Sequence, residues 1–233
     1  MVSFTIVCII VACVLLYDGV PIGLSRLLGI GAFQSAKGVH SVALTFDDGP
    51  DPNYTPRLLD ALRDAQIHAT FFVIVDKARR HKEIIERMLV EGHEVEIHGY
   101  THACVPLLLP WTSVKQVALS SKVLTEELSV SPRWYRPTWG LINLPAWLAV
   151  KRLHLRFVTW SVMVGDWRVT EPDELMRRIL RKLRPGSVIV LHDSDETPGA
   201  ERLAPNAVIS LIPDLADQVR SRQLDFVLLS SWR

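Results

Sequence analysis

From Lys37 onward the chain alternates short runs rich in β-branched and aromatic residues with amphipathic stretches, and this alternation limits the fold more than any other feature. "SVALTF", "HATFFVIV", "HEVEIH", "RWYRP", "LRFVTWSVM", "SVIVLHD" and "LDFVLL" read as strands. Helical patterns lie between them. "TPRLLDALRDA" opens with Thr55 as an N-cap and Pro56 at the first helical position. "KEIIERMLVEG" places Ile84, Ile85, Met88 and Leu89 on one face and closes at Gly92. Residues 112–128 carry Val114, Val117, Ser121, Leu124 and Leu128 on one stripe. "LPAWLAVKRLH", the face Leu175, Met176, Ile179, Leu180 and Leu183, and residues 206–222 supply the other helices. Strand–helix alternation at this spacing implies parallel strands joined by right-handed crossovers, in an α/β barrel or an open doubly wound sheet. With 233 residues, 48% of them hydrophobic, the chain suits one sizeable domain.

Polar residues collect where the apolar runs stop. Asp47 and Asp48 close the first run, and Gly49-Pro50 then breaks the chain. Adjacent carboxylates repel and are costly to desolvate, so a nearby cation is the natural counter-charge. His98 ends the third run, and His102 follows in "HGYTH". Arg136 ends the fourth, Asp166 and Trp167 follow the fifth, and His192 and Asp193 end the sixth. The C-terminal ends of parallel strands share one face, so these segments would meet in a single pocket. Two histidines and a carboxylate form a three-ligand metal set with positions left for water and substrate. One aspartate then binds the cation while its neighbour stays ionised and takes a proton from water. His40, His68, His81, His93 and His154 have no such placement, and Cys104 reads as a small buried residue.

The N-terminus is a separate unit. "VSFTIVCIIVACVLLY" is apolar up to Asp18, and "GVPIGLSRLLGIGAF" continues in the same vein. An uncleaved signal anchor is preferred over a cleaved signal peptide, a lipoprotein box at "IVAC" or a buried helix. Residues 1–37 are therefore expected to be an anchor and linker, with 31–40 as the connecting stretch, and residues 38–233 the domain. Arg26 and Lys37 follow the apolar run and no basic residue precedes it, which on charge alone would hold the domain inside. A net charge of +1 without a basic run offers nothing to nucleic acid. Three cysteines make no even disulfide framework.

In order, "TFDDGPDPNYT", "HGYTH", "RPTWG", "GDW" and "LHD" resemble the motifs of the polysaccharide deacetylases, the NodB-type domains of carbohydrate esterase family four. The resemblance spans roughly residues 42–229. It implies a distorted (β/α)7 barrel. It assigns Asp48, His98 and His102 as metal ligands, Asp47 as general base, and Arg136 as the partner that holds Asp47. It assigns His192 as general acid with Asp166 as its charge partner, the Trp139 N–H as an oxyanion donor, and Trp167 and Leu191 as walls for the acetyl methyl. The cofactor is a divalent metal, zinc first, with cobalt, iron or manganese fitting the same set. Two positions depart from the family pattern. Gly99 stands where a Ser or Thr is usual, and Thr138 where a second proline is usual. At Gly99 a hydroxyl that would help hold the metal loop is lost, which bears on metal affinity and choice, and Thr138 is expected to loosen the loop that presents the Trp139 N–H and to alter substrate fit. The resulting expectation is a monomeric, metal-dependent hydrolase removing N-acetyl or O-acetyl groups from a cell-envelope glycan such as peptidoglycan. It would be held at the cell membrane facing the envelope, or else secreted. A small-amide or cyclic-imide hydrolase and a non-catalytic glycan-binding module are the competing expectations.

Overall fold

The computed structural model describes residues 2–232. Each run read as a strand contributes one: β1 (Ser41–Asp47), β2 (Thr70–Ile74), β3 (Glu94–Gly99), β4 (Trp134–Tyr135), β5 (Arg156–Phe157), β6 (Val188–His192) and β7 (Asp225–Phe226). All pair in parallel, in the order β5-β4-β3-β2-β1-β6, with β7 beside β1. The run "LRFVTWSVM" is a regular strand only at its start. Further on, Val162 forms an isolated parallel bridge to Ile189 of β6, and the Val190 N–H donates to the Val162 carbonyl at 3.0 Å. That bridge joins the two ends of the sheet, so the curled sheet forms the distorted barrel expected from the motifs.

The helices are α1 (Val2–Val14), α2 (Val20–Ile22), α3 (Thr55–Asp64), α4 (Val75–Arg80), α5 (Lys82–Val90), α6 (Pro110–Glu127), α7 (Leu144–Arg152), α8 (Pro172–Lys182) and α9 (Pro205–Arg220). Strand alternation divides the apolar side chains into two groups. Leu44, Phe46, Phe71, Val73, Val95, Ile97, Ile189 and Leu191 face outward and pack with the amphipathic helices, including Leu58, Leu62, Ile85, Met88, Leu175, Ile179, Leu211 and Leu215. Ala43, Phe72, Trp134, Val158 and Val188 face inward and are closed below by Leu229 and Trp232 of the C-terminal turn. Glu96, buried among them, accepts the backbone N–H groups of Arg133 and Trp134, and burial pushes its carboxyl up to about 8.

The stretch read as a linker lies along the barrel. Phe33 bridges to Val158 and packs its ring against Trp134 and Trp232, and Ser35 bridges to Ser187. The apolar helix likewise does not stop at Asp18 or at the Gly-Pro signals. α1 passes through a π turn (Leu15–Gly19), α2 and a second π turn (Gly23–Leu27). The widened turns on either side accommodate Pro21, which an unbroken α-helical ladder would not. Phe4–Arg26 is thus one helix of 23 residues, long and apolar enough to cross a membrane. Its first half is exposed. Its second half is docked: the Tyr17 hydroxyl donates to the Leu108 carbonyl and accepts from the Asn143 amide, and Pro21 and Ser25 are buried.

Candidate active site

β1 delivers its two aspartates to different partners. Asp47 ends the strand, 2% exposed, with Oδ1 2.6 Å from Nη1 of Arg136. Arg136, at the end of β4, is fully buried. It also donates to the Thr45 hydroxyl at 2.8 Å and the Thr159 carbonyl at 3.0 Å, and its guanidinium lies 4.0 Å from the Phe72 ring centroid. A charge that deep is tolerable only when paired and hydrogen-bonded, and Arg136 and Asp47 supply that pairing to each other.

Asp48 leaves the strand at φ 81°, a left-handed conformation that Asp tolerates better than most residues. Gly49 comes next, where a Cβ would stand 2.2 Å from the Asp193 carboxylate. The turn brings Asp48 Oδ1 to 3.3 Å from His98 Nε2 and 3.2 Å from His102 Nε2. His98 Nδ1–H donates to the Arg136 carbonyl at 2.7 Å, which leaves its Nε2 lone pair facing Asp48. Asp48 Oδ1 is buried without a hydrogen-bond partner. The His98 lone pair and the buried Asp48 oxygen face each other with His102 Nε2 alongside, a convergence that a cation would satisfy. These three are the one group among the described residues that could hold a metal ion. The other Asp48 oxygen accepts from the Thr197 hydroxyl at 2.7 Å.

His192 ends β6 on the opposite wall. Its backbone N–H donates to Asp166 at 2.7 Å, and its Nδ1 stands 3.1 Å from the same carboxylate. Burial opposes protonation, but Asp166, with the charges of Asp48 and Asp47, raises the imidazole to about 10. These groups border a cleft of about 390 Å³, walled also by Trp139, Trp160, Met163, Trp167, Val190 and Arg26. Trp167 meets the His192 ring edge-on at 5.6 Å. Trp139, left-handed at φ 54°, meets the His102 ring at 4.4 Å.

One expected wall residue is elsewhere. Leu191 is fully buried in the helix-facing core and does not reach the cleft. Strand side chains alternate, so the residue sharing His192's face is Val190, and Val190 lines the cleft. Thr55 is the first helical residue rather than the cap, because its hydroxyl is engaged in the loop: it accepts from the Asp51 N–H and donates to Asp193 at 2.6 Å. Burial pushes the Asp193 carboxyl up to about 7. His93 serves packing, with Nδ1 accepting from the Ala69 N–H.

The loops at Gly99 and Thr138 are both fastened by side-chain bonds. Beside Gly99, Gln116 of α6 accepts the Tyr100 and Thr101 N–H groups at 2.8 and 3.1 Å and donates to the Thr101 hydroxyl at 2.9 Å. The side-chain amide fastens the loop between the two histidines. The Thr138 hydroxyl donates to the Ala103 carbonyl and so ties the Trp139 loop to the His102 loop. Gln116→Ala should weaken metal binding by about tenfold or more, because outer residues orient metal ligands. Competition against a chromophoric chelator measures it; an unaltered affinity would mean that the backbone holds the loop unaided.

Residues 34–158 match the polysaccharide deacetylase family. The chain is 35% identical over 176 residues to a chitooligosaccharide deacetylase of Bradyrhizobium sp. (strain ANU 289), covering 75% of this chain and 80% of that protein. It is 32% identical over 203 residues to a peptidoglycan-N-acetylglucosamine deacetylase of Bacillus cereus (strain ATCC 14579), covering 86% and 70%. The crystal structure of a peptidoglycan N-acetylglucosamine deacetylase bound to an N-oxidanyl-benzamide compound superposes with a TM-score of 0.80 at 29% identity, covering 89% of this chain and 95% of that one. Fold, motifs and relatives together define a hydrolase of the carbohydrate deacetylase class. The chain belongs to the polysaccharide deacetylase family.

Proposed function

We propose that this protein removes N-acetyl groups from a cell-envelope glycan of the peptidoglycan type, with a divalent cation, zinc first, held by Asp48, His98 and His102. The observation that carries this reading is the meeting of three separate devices around one cleft: Asp47 paired with Arg136, the Asp48–His98–His102 set, and His192 paired with Asp166. A bound cation supplies Lewis acidity, lowering the pKa of a water and drawing charge from the acetyl oxygen. Asp47, paired with and oriented by Arg136, takes the proton from the attacking water. The Trp139 N–H stabilises the oxyanion. His192, protonated through Asp166, gives its proton to the departing amine, which is otherwise a poor leaving group. Trp167 and Val190 receive the acetyl methyl. No serine or cysteine nucleophile is needed.

The N-terminal helix is proposed to anchor the domain, residues 38–233, at the membrane, facing the envelope. Its exposed apolar first half and the envelope glycans named for the relatives support that placement.

Acetate release from acetylated peptidoglycan and from chitooligosaccharides, with and without chelator, tests the reaction. Release that chelator abolishes and added zinc restores is expected. Chelator-resistant release, or turnover of small amides alone, would contradict it. Acetate release should also fall at alkaline pH as His192 loses its proton. Asp166→Asn removes the charge that raises the imidazole, so that alkaline limb should move down by about one unit or more. A pH profile of kcat/KM checks the shift, and coincident profiles would remove Asp166 from this role.

A further inference from the structure

Arg26 lies in sequence where an anchor ends, yet in the fold it lines the catalytic cleft. The docked half of the N-terminal helix carries it there, and its guanidinium rests 4.6 Å from the centroid of Trp160. Trp160 also separates it from the buried Arg136, whose guanidinium is 6.0 Å from the same ring. The stack depends on a glycine: at Gly140, φ 66°, a Cβ would stand 2.7 Å from Trp160 and 3.1 Å from Arg26 Nη1. Arg136 discharges its charge on Asp47, but Arg26 makes no ion pair among the described residues. It is also the only Lys or Arg among the described residues that wall the cleft.

A guanidinium stacked on an indole keeps its planar fork oriented at little entropic cost, and that fork matches a carboxylate. We infer that Arg26 and Trp160 form a substrate subsite for a carboxylate carried by the glycan, so that the enzyme selects acidic acetylated glycans over neutral ones. The inference rests on the deacetylase reading above and narrows its substrate class. It also makes the N-terminal helix part of the active site: the subsite exists only while that helix remains attached.

The test uses the full-length, metal-loaded protein with three glycans of equal length. One is a neutral N-acetylglucosamine oligomer, one alternates N-acetylglucosamine with a carboxylate-bearing sugar, and one is the second with its carboxyls reduced to alcohols. The wild-type kcat/KM for the acidic glycan is expected to exceed that for its reduced form at least tenfold. Arg26→Gln should bring that ratio close to one, and Arg26→Lys, which keeps the charge without the fork, should fall between. Calorimetric binding of the same pair to Asp47→Asn protein reads the preference independently of turnover. If no glycan releases acetate, the deacetylase reading fails while the binding ratio still decides the subsite. Equal wild-type values for the acidic and reduced glycans would overturn the inference. So would a preference that survives in Arg26→Gln, or a mature chain whose N-terminus, read by intact mass, begins beyond Arg26.

Discussion

Asp47→Asn should leave the metal site filled and cut kcat for acetate release by about 10²–10⁴-fold, the usual contribution of a positioned general base. The exchange is nearly isosteric, and the Asn carbonyl oxygen can still accept from Arg136, so the fold should survive. Asp47 is not one of the Asp48–His98–His102 set and lies 4.0 Å from His98 on its Nδ1 side, away from the Nε2 that faces Asp48, which is why metal content should not follow activity down. Elemental analysis beside a steady-state assay separates the two quantities. A variant as active as wild type would remove Asp47 from the base role. A variant that loses its metal would make Asp47 a ligand.

The largest stability effect should come from the other half of that pair. Arg136→Met strands an ionised Asp47 in a site with 2% exposure, and breaking a buried ion pair costs about 3–5 kcal/mol. For a chain of this size that corresponds to a fall in Tm of roughly 10 °C or more. Much of the cost is the unpaired carboxylate, so Asp47→Asn combined with Arg136→Met should be clearly less destabilised than the sum of the single changes. Thermal unfolding of the four proteins measures the coupling. Strict additivity would mean that the two side chains do not act as a unit.

The fold was legible because four of the seven strands of this barrel run straight into chemistry. Asp47, His98, Arg136 and His192 mark strand tips in one dimension, and a parallel sheet must bring such tips to one face. What was illegible depends on tertiary contact. Nothing local to Gly99 says that Gln116, seventeen positions on by sequence number, fastens the loop that follows it, and nothing in Thr138 announces its bond to Ala103. Arg26 reads as a charge flanking an anchor until the helix docks and brings it over Trp160. Phe33 looks like part of a linker because a β-bridge to Val158 has no sequence period. Leu191 was misplaced for a different reason. The motif "LHD" draws attention to the neighbour of His192, whereas the pleat puts the residue two positions away, Val190, on the same wall.

A structure of the protein loaded with zinc, with anomalous diffraction recorded at the zinc edge, tests the central claim most directly. The account predicts one peak at about 2.0–2.2 Å from a carboxylate oxygen of Asp48 and from Nε2 of both His98 and His102, with Asp47 unligated and still bonded to Arg136. A cation bound away from these three side chains, or one that draws Asp47 into its coordination, would contradict it.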